Sequence, residues 1–291
     1  RVERRSVEMG RDVRCENRTV SGFPFHIEVS CGQAGLDAQE QGIAADVDAV
    51  RSVALLYNPG LVITEADGPL TIKLSPAAGL TGELTGRWKT ARSSVSAGLS
   101  GLKRASFVAE DVILSTTART GLAGLEQVSL KDAQLHLRPN PEVPADFDVA
   151  LTVSDMLTTR FGGELPTMDL RLLATAGNVG EALGFDPEML IRTWLDNGGA
   201  LDVESARFSS LGFSANASGP VTISEDGLVS GKVRLEISGM EKFPDLVAAV
   251  APQYRDDAEQ IASTFKSFST DTKDGKVVIS LFLRNGIVSA G

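Results

Sequence analysis

The feature that most constrains the fold is a run of alternating apolar residues between Trp194 and Gly239. A period of two is typical of strands that bury one face of a sheet. The apolar positions are Leu201 and Val203, then Leu211, Phe213, Ala215 and Ala217, then Val221 and Ile223, and finally Val233, Leu235 and Ile237. Turn residues separate these groups at Ser209-Ser210, Ser218-Gly219-Pro220 and Glu225-Asp226-Gly227. The pattern predicts four antiparallel strands with one apolar face.

Weaker alternation extends from Leu61 to Leu172, and turn signals such as Asp67-Gly68-Pro69 interrupt it. Strands at this spacing favour a sheet, sandwich or barrel over βαβ units. The predicted fold class is mainly β with covering α-helices (α+β), in large curved antiparallel meander sheets that form an open groove or half-barrel. We expect residues 1–291 to form a single elongated β-rich unit. The order of helix, glycine-containing turn and strand occurs twice in the chain, which also suggests two pseudo-repeat halves, 12–177 and 178–291.

Three helical intervals are predicted from apolar spacings of three and four. The first runs over residues 46–57, with Asp46 as its cap. The second begins at Asp186-Pro187 and ends at Asn197-Gly198-Gly199. The third begins at Pro244, and in it Ile261, Phe265 and Phe268 are expected to pack onto the sheet. The residues between Gly32 and Gly42 are predicted to form a loop.

Both cysteines, Cys15 and Cys31, flank the turn signal Ser21-Gly22-Phe23-Pro24. Two reduced thiols are one interpretation, and a disulfide across a hairpin is the other. If Cys15 faces Cys31, Arg18 lies opposite Glu28 and the turn centres on Phe23, so charge pairing and turn placement agree. The residues therefore favour a disulfide, which implies an oxidising compartment.

The composition excludes some functions and makes others poor candidates. A net charge of −10 provides no broad basic surface for nucleic acid. The longest apolar runs fall far short of the roughly 20 residues that span a membrane. The two histidines, His26 and His136, stand far apart, and the sequence contains no nucleophile elbow, phosphate loop or metal-binding motif. We expect no catalysis, no cofactor and no metal.

Several motifs resemble a bacterial envelope family known as domain of unknown function 2125. They are Gly22-Phe23-Pro24-Phe25-His26-Ile27-Glu28-Val29 between the cysteines, Tyr57-Asn58-Pro59-Gly60, Asp67-Gly68-Pro69-Leu70, Trp88 with Ala91-Arg92, and His136-Leu137-Arg138-Pro139. The resemblance implies a periplasmic protein, tethered to the inner membrane through an N-terminal segment that precedes this sequence. More remotely, the meander with its covering helices is similar to AsmA-like envelope proteins, which are associated with lipid handling.

These observations lead to three functional hypotheses. In the first, a non-enzymatic periplasmic protein binds or guides a lipid or other hydrophobic molecule in a β-sheet groove. The expected lining residues are Leu201, Val203, Phe213, Val221, Ile223, Val233 and Leu235. In the second, the same residues form a closed core. In the third, the chain is an envelope scaffold that binds a protein partner through a strand edge or helix face.

Overall fold

The computed structural model describes residues 12–78, 81–99, 101–117, 124–160, 163–179, 187–268 and 276–290. Within these ranges the chain is mainly β, and its 18 strands belong to one antiparallel sheet. The prediction of a mainly β fold of antiparallel strands with α-helices is therefore confirmed, and the open groove or half-barrel shape stays a prediction.

The strands are β1 (Asp12–Glu16), β2 (Thr19–Ser21), β3 (His26–Cys31), β4 (Gln33–Ala38), β5 (Ile43–Leu55), β6 (Asn58–Leu74), β7 (Gly82–Arg87), β8 (Thr90–Gly98), β9 (Gly101–Thr116), β10 (Leu125–Pro139), β11 (Phe147–Arg160), β12 (Gly163–Glu164), β13 (Met168–Ala176), β14 (Ala200–Ser210), β15 (Phe213–Ile223), β16 (Val229–Ser238), β17 (Val277–Arg284) and β18 (Ile287–Ala290). The α-helices are α1 (Pro187–Asp196), α2 (Phe243–Val250) and α3 (Arg255–Phe268). Short 3₁₀ turns occupy Gln39–Gln41, Pro76–Ala78, Met240–Lys242 and Pro252–Tyr254.

The chain divides into two compact units. Unit 1 comprises residues 1–100, 105–133 and 155–164, and unit 2 comprises residues 101–104, 134–154 and 165–291. Three long strands, β9, β10 and β11, contribute residues to both units. The two pseudo-repeat halves remain a prediction.

The central strand of unit 1 is β5, in the segment for which the sequence pattern predicts a helix over residues 46–57. β5 pairs with β6 on one side and with β3 and then β4 on the other. The helix prediction is wrong because the spacing of Val47, Val50 and Val53 fits a helix, but the neighbouring strands supply backbone hydrogen bonds and packing for these β-branched residues. The predicted loop at 32–42 is likewise wrong over β4, which pairs with both β1 and β5.

The N-terminal hairpin of unit 1 contains the predicted disulfide between Cys15 and Cys31, whose Cα atoms are 5.2 Å apart. The disulfide prediction is confirmed, but the predicted register is wrong, because Glu28 lies opposite Ser21 rather than Arg18. β3 also pairs with β5 over its whole length. A single cross-strand charge pair contributes only about 0.2–1 kcal/mol, which is too little to set the register against that pairing.

In unit 1, β6 changes partner part-way along its length. Its first half pairs with β8 and its second half with β7. The predicted turn at Asp67-Gly68-Pro69 lies inside this strand, at the point of change. There the indole Nε1 of Trp88 donates a hydrogen bond to the backbone oxygen of Ala66, 2.7 Å away. The glycine and proline therefore lie within a continuous strand instead of ending it.

Unit 2 contains an antiparallel meander in which β13, β14, β15, β16, β17 and β18 pair in chain order. The predicted four strands between Trp194 and Gly239 are three, because β15 continues through Ser218-Gly219-Pro220. A Cβ at position 219 would collide with the carbonyl oxygen of Lys232 on β16. Glycine thus permits a close backbone approach here, where the sequence alone suggests a turn.

The predicted helices at 187–196 and 243–268 are confirmed. α2 and α3 bring Phe243, Leu246 and Phe265 against the sheet of unit 2. Ile261 does not take part as expected, since it is 44% exposed, and the side chain of Phe268 lies outside the described residues. Ala258, Ala262 and Phe265 form the packed side of α3, so the expectation for Phe265 is confirmed and Ala262 takes the place predicted for Ile261.

Candidate functional site

The seven residues predicted to line a groove share one face of β14, β15 and β16. Leu201 lies opposite Val221, and Val203 lies opposite Gly219. The alternation continues along β15 and β16. The seven are Leu201, Val203, Phe213, Val221, Ile223, Val233 and Leu235. Phe213 and Val221 are buried and the other five are half-buried. We call this set the apolar stripe.

One end of the apolar stripe is a packed core under α2 and α3. The ring of Phe213 lies 5.5 Å from the ring of Phe243 and 6.4 Å from that of Phe208, centroid to centroid. Ile237 and Met240 are buried beside it, and Leu235 packs against the same cluster. At this end, Phe213 and Leu235 contribute to the stability of the fold.

The other end of the stripe is covered by α1. Trp194 packs with Leu201 against a small core of Phe147, Ala176 and Val179. The indole Nε1 of Trp194 donates a hydrogen bond to the backbone oxygen of Gly177 at 2.9 Å. The helix that the sequence places before the meander therefore lies over the start of β14.

Between these covered ends, the apolar stripe lacks two side chains. Gly219 lies opposite Val203, and Gly231 lies opposite Val221. A Cβ on either glycine would meet a backbone oxygen of the neighbouring strand within clash distance. Half-buried Val203 and Val233 border these positions. Neither core cluster includes these two valines, so the middle of the stripe is the part where an apolar ligand could gain contact area.

The opposite face of this part of the sheet is polar. Two adjoining depressions, with volumes of about 650 and 500 Å³, share Asn140, Glu142 and Thr175, and the smaller one is also lined by Leu201 and Val221 of the apolar stripe. Thr175 lies opposite Asp202 in the register, on the face away from Leu201. Depressions of this size are large enough for a small polar molecule.

A hydrogen-bond network centred on Asp148 borders the larger depression. Its Oδ1 accepts from Asn140 Nδ2 at 2.8 Å and from Thr175 Oγ1 at 3.2 Å, and its Oδ2 accepts from Arg138 Nε at 3.0 Å. Burial is the largest single influence on this carboxyl and would raise its pKa. The hydrogen bonds from Asn140, Arg138 and Thr175, with the charge of Arg138, outweigh burial and lower the pKa of Asp148.

The same network shapes the loop over residues 140–146. Asn140 Oδ1 accepts hydrogen bonds from the backbone nitrogens of Glu142 and Val143, and the nitrogen of Asn140 donates to the oxygen of Asp146. Asp148 therefore has its acceptor oxygens engaged by structural donors. Among the described residues, no group of three or more histidine, cysteine, aspartate or glutamate side chains could hold a metal ion.

The comparison with protein families identifies the family of this chain. A family model described as an uncharacterized protein conserved in bacteria, domain of unknown function 2125, matches residues 3–291. The chain belongs to this family. No curated protein and no solved structure matches it. In the described part of this family member, no helix combines the length and apolarity that crossing a bilayer requires.

Sequence reasoning missed two features of this family member. The polar network of Arg138, Asn140, Asp148 and Thr175 joins three strands and has no local motif. The second feature is a group of exposed apolar residues at hairpin turns of unit 1, which the helix predicted over 46–57 obscured. A signal was nevertheless present, since the stretch from Ser52 to Thr64 contains no charged residue.

Proposed function

We propose that this family member is a non-enzymatic periplasmic protein, tethered to the inner membrane, that binds or guides a lipid or other hydrophobic molecule along the apolar stripe of unit 2. The observation that carries the proposal is the middle of the stripe, where half-buried Val203 and Val233 lie between two helix-covered ends and belong to neither core cluster. The half-buried Val203 and Val233 give this groove an aliphatic lining.

The chemistry of the lining favours an acyl chain. Apolar area that a ligand covers contributes about 25 cal/mol per Å², so a few half-buried aliphatic side chains could supply useful affinity. α1 and α2 border the groove as plugs or lids in this proposal. The disulfide supports an oxidising compartment such as the periplasm, and the remote resemblance to AsmA-like proteins supports lipid handling by analogy at the level of fold.

The test uses paired variants on β14. Val203→Gln places an amide in the groove, whereas Glu204→Gln places the same side chain at the adjacent exposed position on the opposite face. Protein freed of detergent and co-purified lipid is titrated with a fluorescent fatty acid. We expect the wild type and Glu204→Gln to bind at micromolar concentration, and Val203→Gln to bind at least tenfold more weakly while retaining its circular dichroism spectrum.

Two results would reject the lipid proposal. If wild-type protein binds no amphiphile, the alternative of an envelope scaffold with a closed core takes its place. If Val203→Gln unfolds the protein while Glu204→Gln does not, the stripe is a closed core at its middle as well as at its ends.

A further inference from the structure

Three strand ends of unit 1 lie together at one end of its sheet. The turn at residues 22–25 joins β2 to β3, the turn at 56–57 joins β5 to β6, and Leu99 follows β8. The pairing of His26 with Leu55 and of Leu61 with Ser96 brings them side by side. We call these three segments the hairpin tips.

The hairpin tips expose large apolar side chains. Phe23 is 86% exposed, Phe25 73% and Tyr57 78%, while Leu99 is fully exposed and Leu56 is 44% exposed. The backbone nitrogen of Leu56 donates a hydrogen bond to the oxygen of Phe25 at 3.1 Å, which holds two tips together. Contiguous exposed apolar residues of this size usually mark a surface that contacts another protein, a ligand or a membrane.

The exposed apolar surface continues from the tips onto one face of the sheet. The register places Val20 opposite Val29, and aligns Ile27, Ala54, Val62 and Val95 in one row across four strands. The valines and the isoleucine of these rows are each more than a third exposed. The tips are therefore the end of a wider apolar band.

Charged residues are absent from the hairpin tips and from the residues that flank them. The sequence has no aspartate, glutamate, lysine or arginine in residues 19–27, 52–64 or 93–99, although 23% of the chain is charged. Glu28 lies opposite Val53, three residues before the tip at Leu56. At about 3.3 Å per residue, the charge-free band is about 10 Å deep along β5.

The first charged residues behind the tips favour a negatively charged surface. Arg18, Arg51 and Arg92 immediately precede the three uncharged segments, Glu28 and Glu65 follow two of them, and Lys103 is the first charged residue after the third. Arg51 and Arg92 both form ion pairs with Glu65. Three arginines, one lysine and two glutamates give a net charge of +2 here, in a protein whose net charge is −10.

We propose that the hairpin tips insert into the surface of a phospholipid bilayer. Tyrosine is favoured at the depth of lipid headgroups, and phenylalanine and leucine are typical of the apolar side of elements that lie in this interface. Amphipathic elements that lie in this interface bury their apolar side about 5–10 Å, which matches the depth of the charge-free band. A bilayer also accounts for the missing charges at every tip, because protein interfaces usually have a polar rim.

This inference goes beyond lipid binding by unit 2, and it involves different residues. The experiment measures flotation of the chain with vesicles of phosphatidylcholine alone and of phosphatidylcholine with phosphatidylglycerol. The test variant combines Phe23→Asp with Tyr57→Asp. The control is Leu211→Asp, which places one such charge at a half-exposed apolar residue in the turn between β14 and β15 of unit 2.

We expect the wild-type chain and Leu211→Asp to float with vesicles, more strongly when phosphatidylglycerol is present. The double variant should bind at least tenfold more weakly. Val203→Gln, which tests the groove in unit 2, should float like the wild type, so the two proposals can fail separately. Failure of the wild type to bind either vesicle, or wild-type binding by the double variant, would overturn the inference.

Two further measurements separate insertion from other causes. In Tyr57→Trp, brominated phospholipid should quench the added indole beyond the quenching in wild type, and equal quenching would contradict insertion. Light scattering tests whether the tips instead join two copies of the chain. If the wild type is a dimer and the double variant a monomer, the tips form a protein interface and the bilayer proposal is wrong.

Discussion

In unit 2, Phe213 is 7% exposed because its face of the sheet lies under α2 and α3, whereas in unit 1, Phe25 is 73% exposed in the turn before β3. Both residues stand beside turns, and both strands alternate apolar and polar residues. The different exposures show that strand alternation identifies an apolar face without saying what covers it. In unit 2 the covering elements are helices of the same chain, and for unit 1 we propose a bilayer.

The largest expected effect comes from comparing these two phenylalanines directly. Phe213→Ala should lower the free energy of unfolding by about 3–5 kcal/mol, because it empties a packed site beside Phe208 and Phe243. Phe25→Ala should change it by no more than about 0.5 kcal/mol, because its ring is mostly in solvent. Urea denaturation of both variants measures the difference, and equal effects would refute the contrast between the units.

The next largest effect concerns the disulfide, which cross-links the chain in unit 1, whereas in unit 2 helices pack on the sheet. Replacing Cys15 and Cys31 by serine should destabilise the protein by roughly 3 kcal/mol in the chain-entropy model for a loop of this length. Thermal melts with and without reductant provide the measurement. Titration of the unreduced, denatured wild type should find no reactive thiol, and finding two would disprove the bond.

A smaller effect is expected from the polar network of unit 2. Asp148→Ala should cost about 1–3 kcal/mol, because Arg138, Asn140 and Thr175 lose their common acceptor. The folded pKa of Asp148 lies below its ordinary value, so its contribution is present above that value and is lost as the pH falls through the folded pKa. Unfolding curves of the wild type and Asp148→Ala at pH 7 and pH 3 check this. An equal loss of stability at both pH values would contradict the lowered pKa of Asp148.

The smallest effect belongs to the exposed ion pairs of unit 1. Glu65 accepts from Arg51 and also pairs with Arg92, and the hydrogen bond from Arg51 is the main reason that the pKa of Glu65 is lowered. Glu65→Gln should cost only about 0.2–1 kcal/mol, because both arginines are more than half exposed. Added salt should shrink this cost. A cost as large as that of Asp148→Ala, unchanged by added salt, would show instead that Glu65, Arg51 and Arg92 form a buried network.

The sequence by itself determined the elements whose signals are local. Asp186-Pro187 at the start and Asn197-Gly198-Gly199 at the end predict α1, and alternation identifies the face that contains Leu201 and Val221. Two cysteines around a turn predict their bond. In each case the deciding residues are near one another in the chain, or they form a face that is apolar whatever element covers it.

Tertiary structure alone decided the features that depend on distant partners. β5 is a strand because β3, β4 and β6 pair with it, although its valine spacing also fits a helix. Gly219 continues a strand because the carbonyl oxygen of Lys232 leaves no room for a Cβ. Asp148 acquires its donors from strands on either side. Such long-range pairings outweigh local turn and helix preferences of a few tenths of a kcal/mol per residue, and a local pattern cannot contain them.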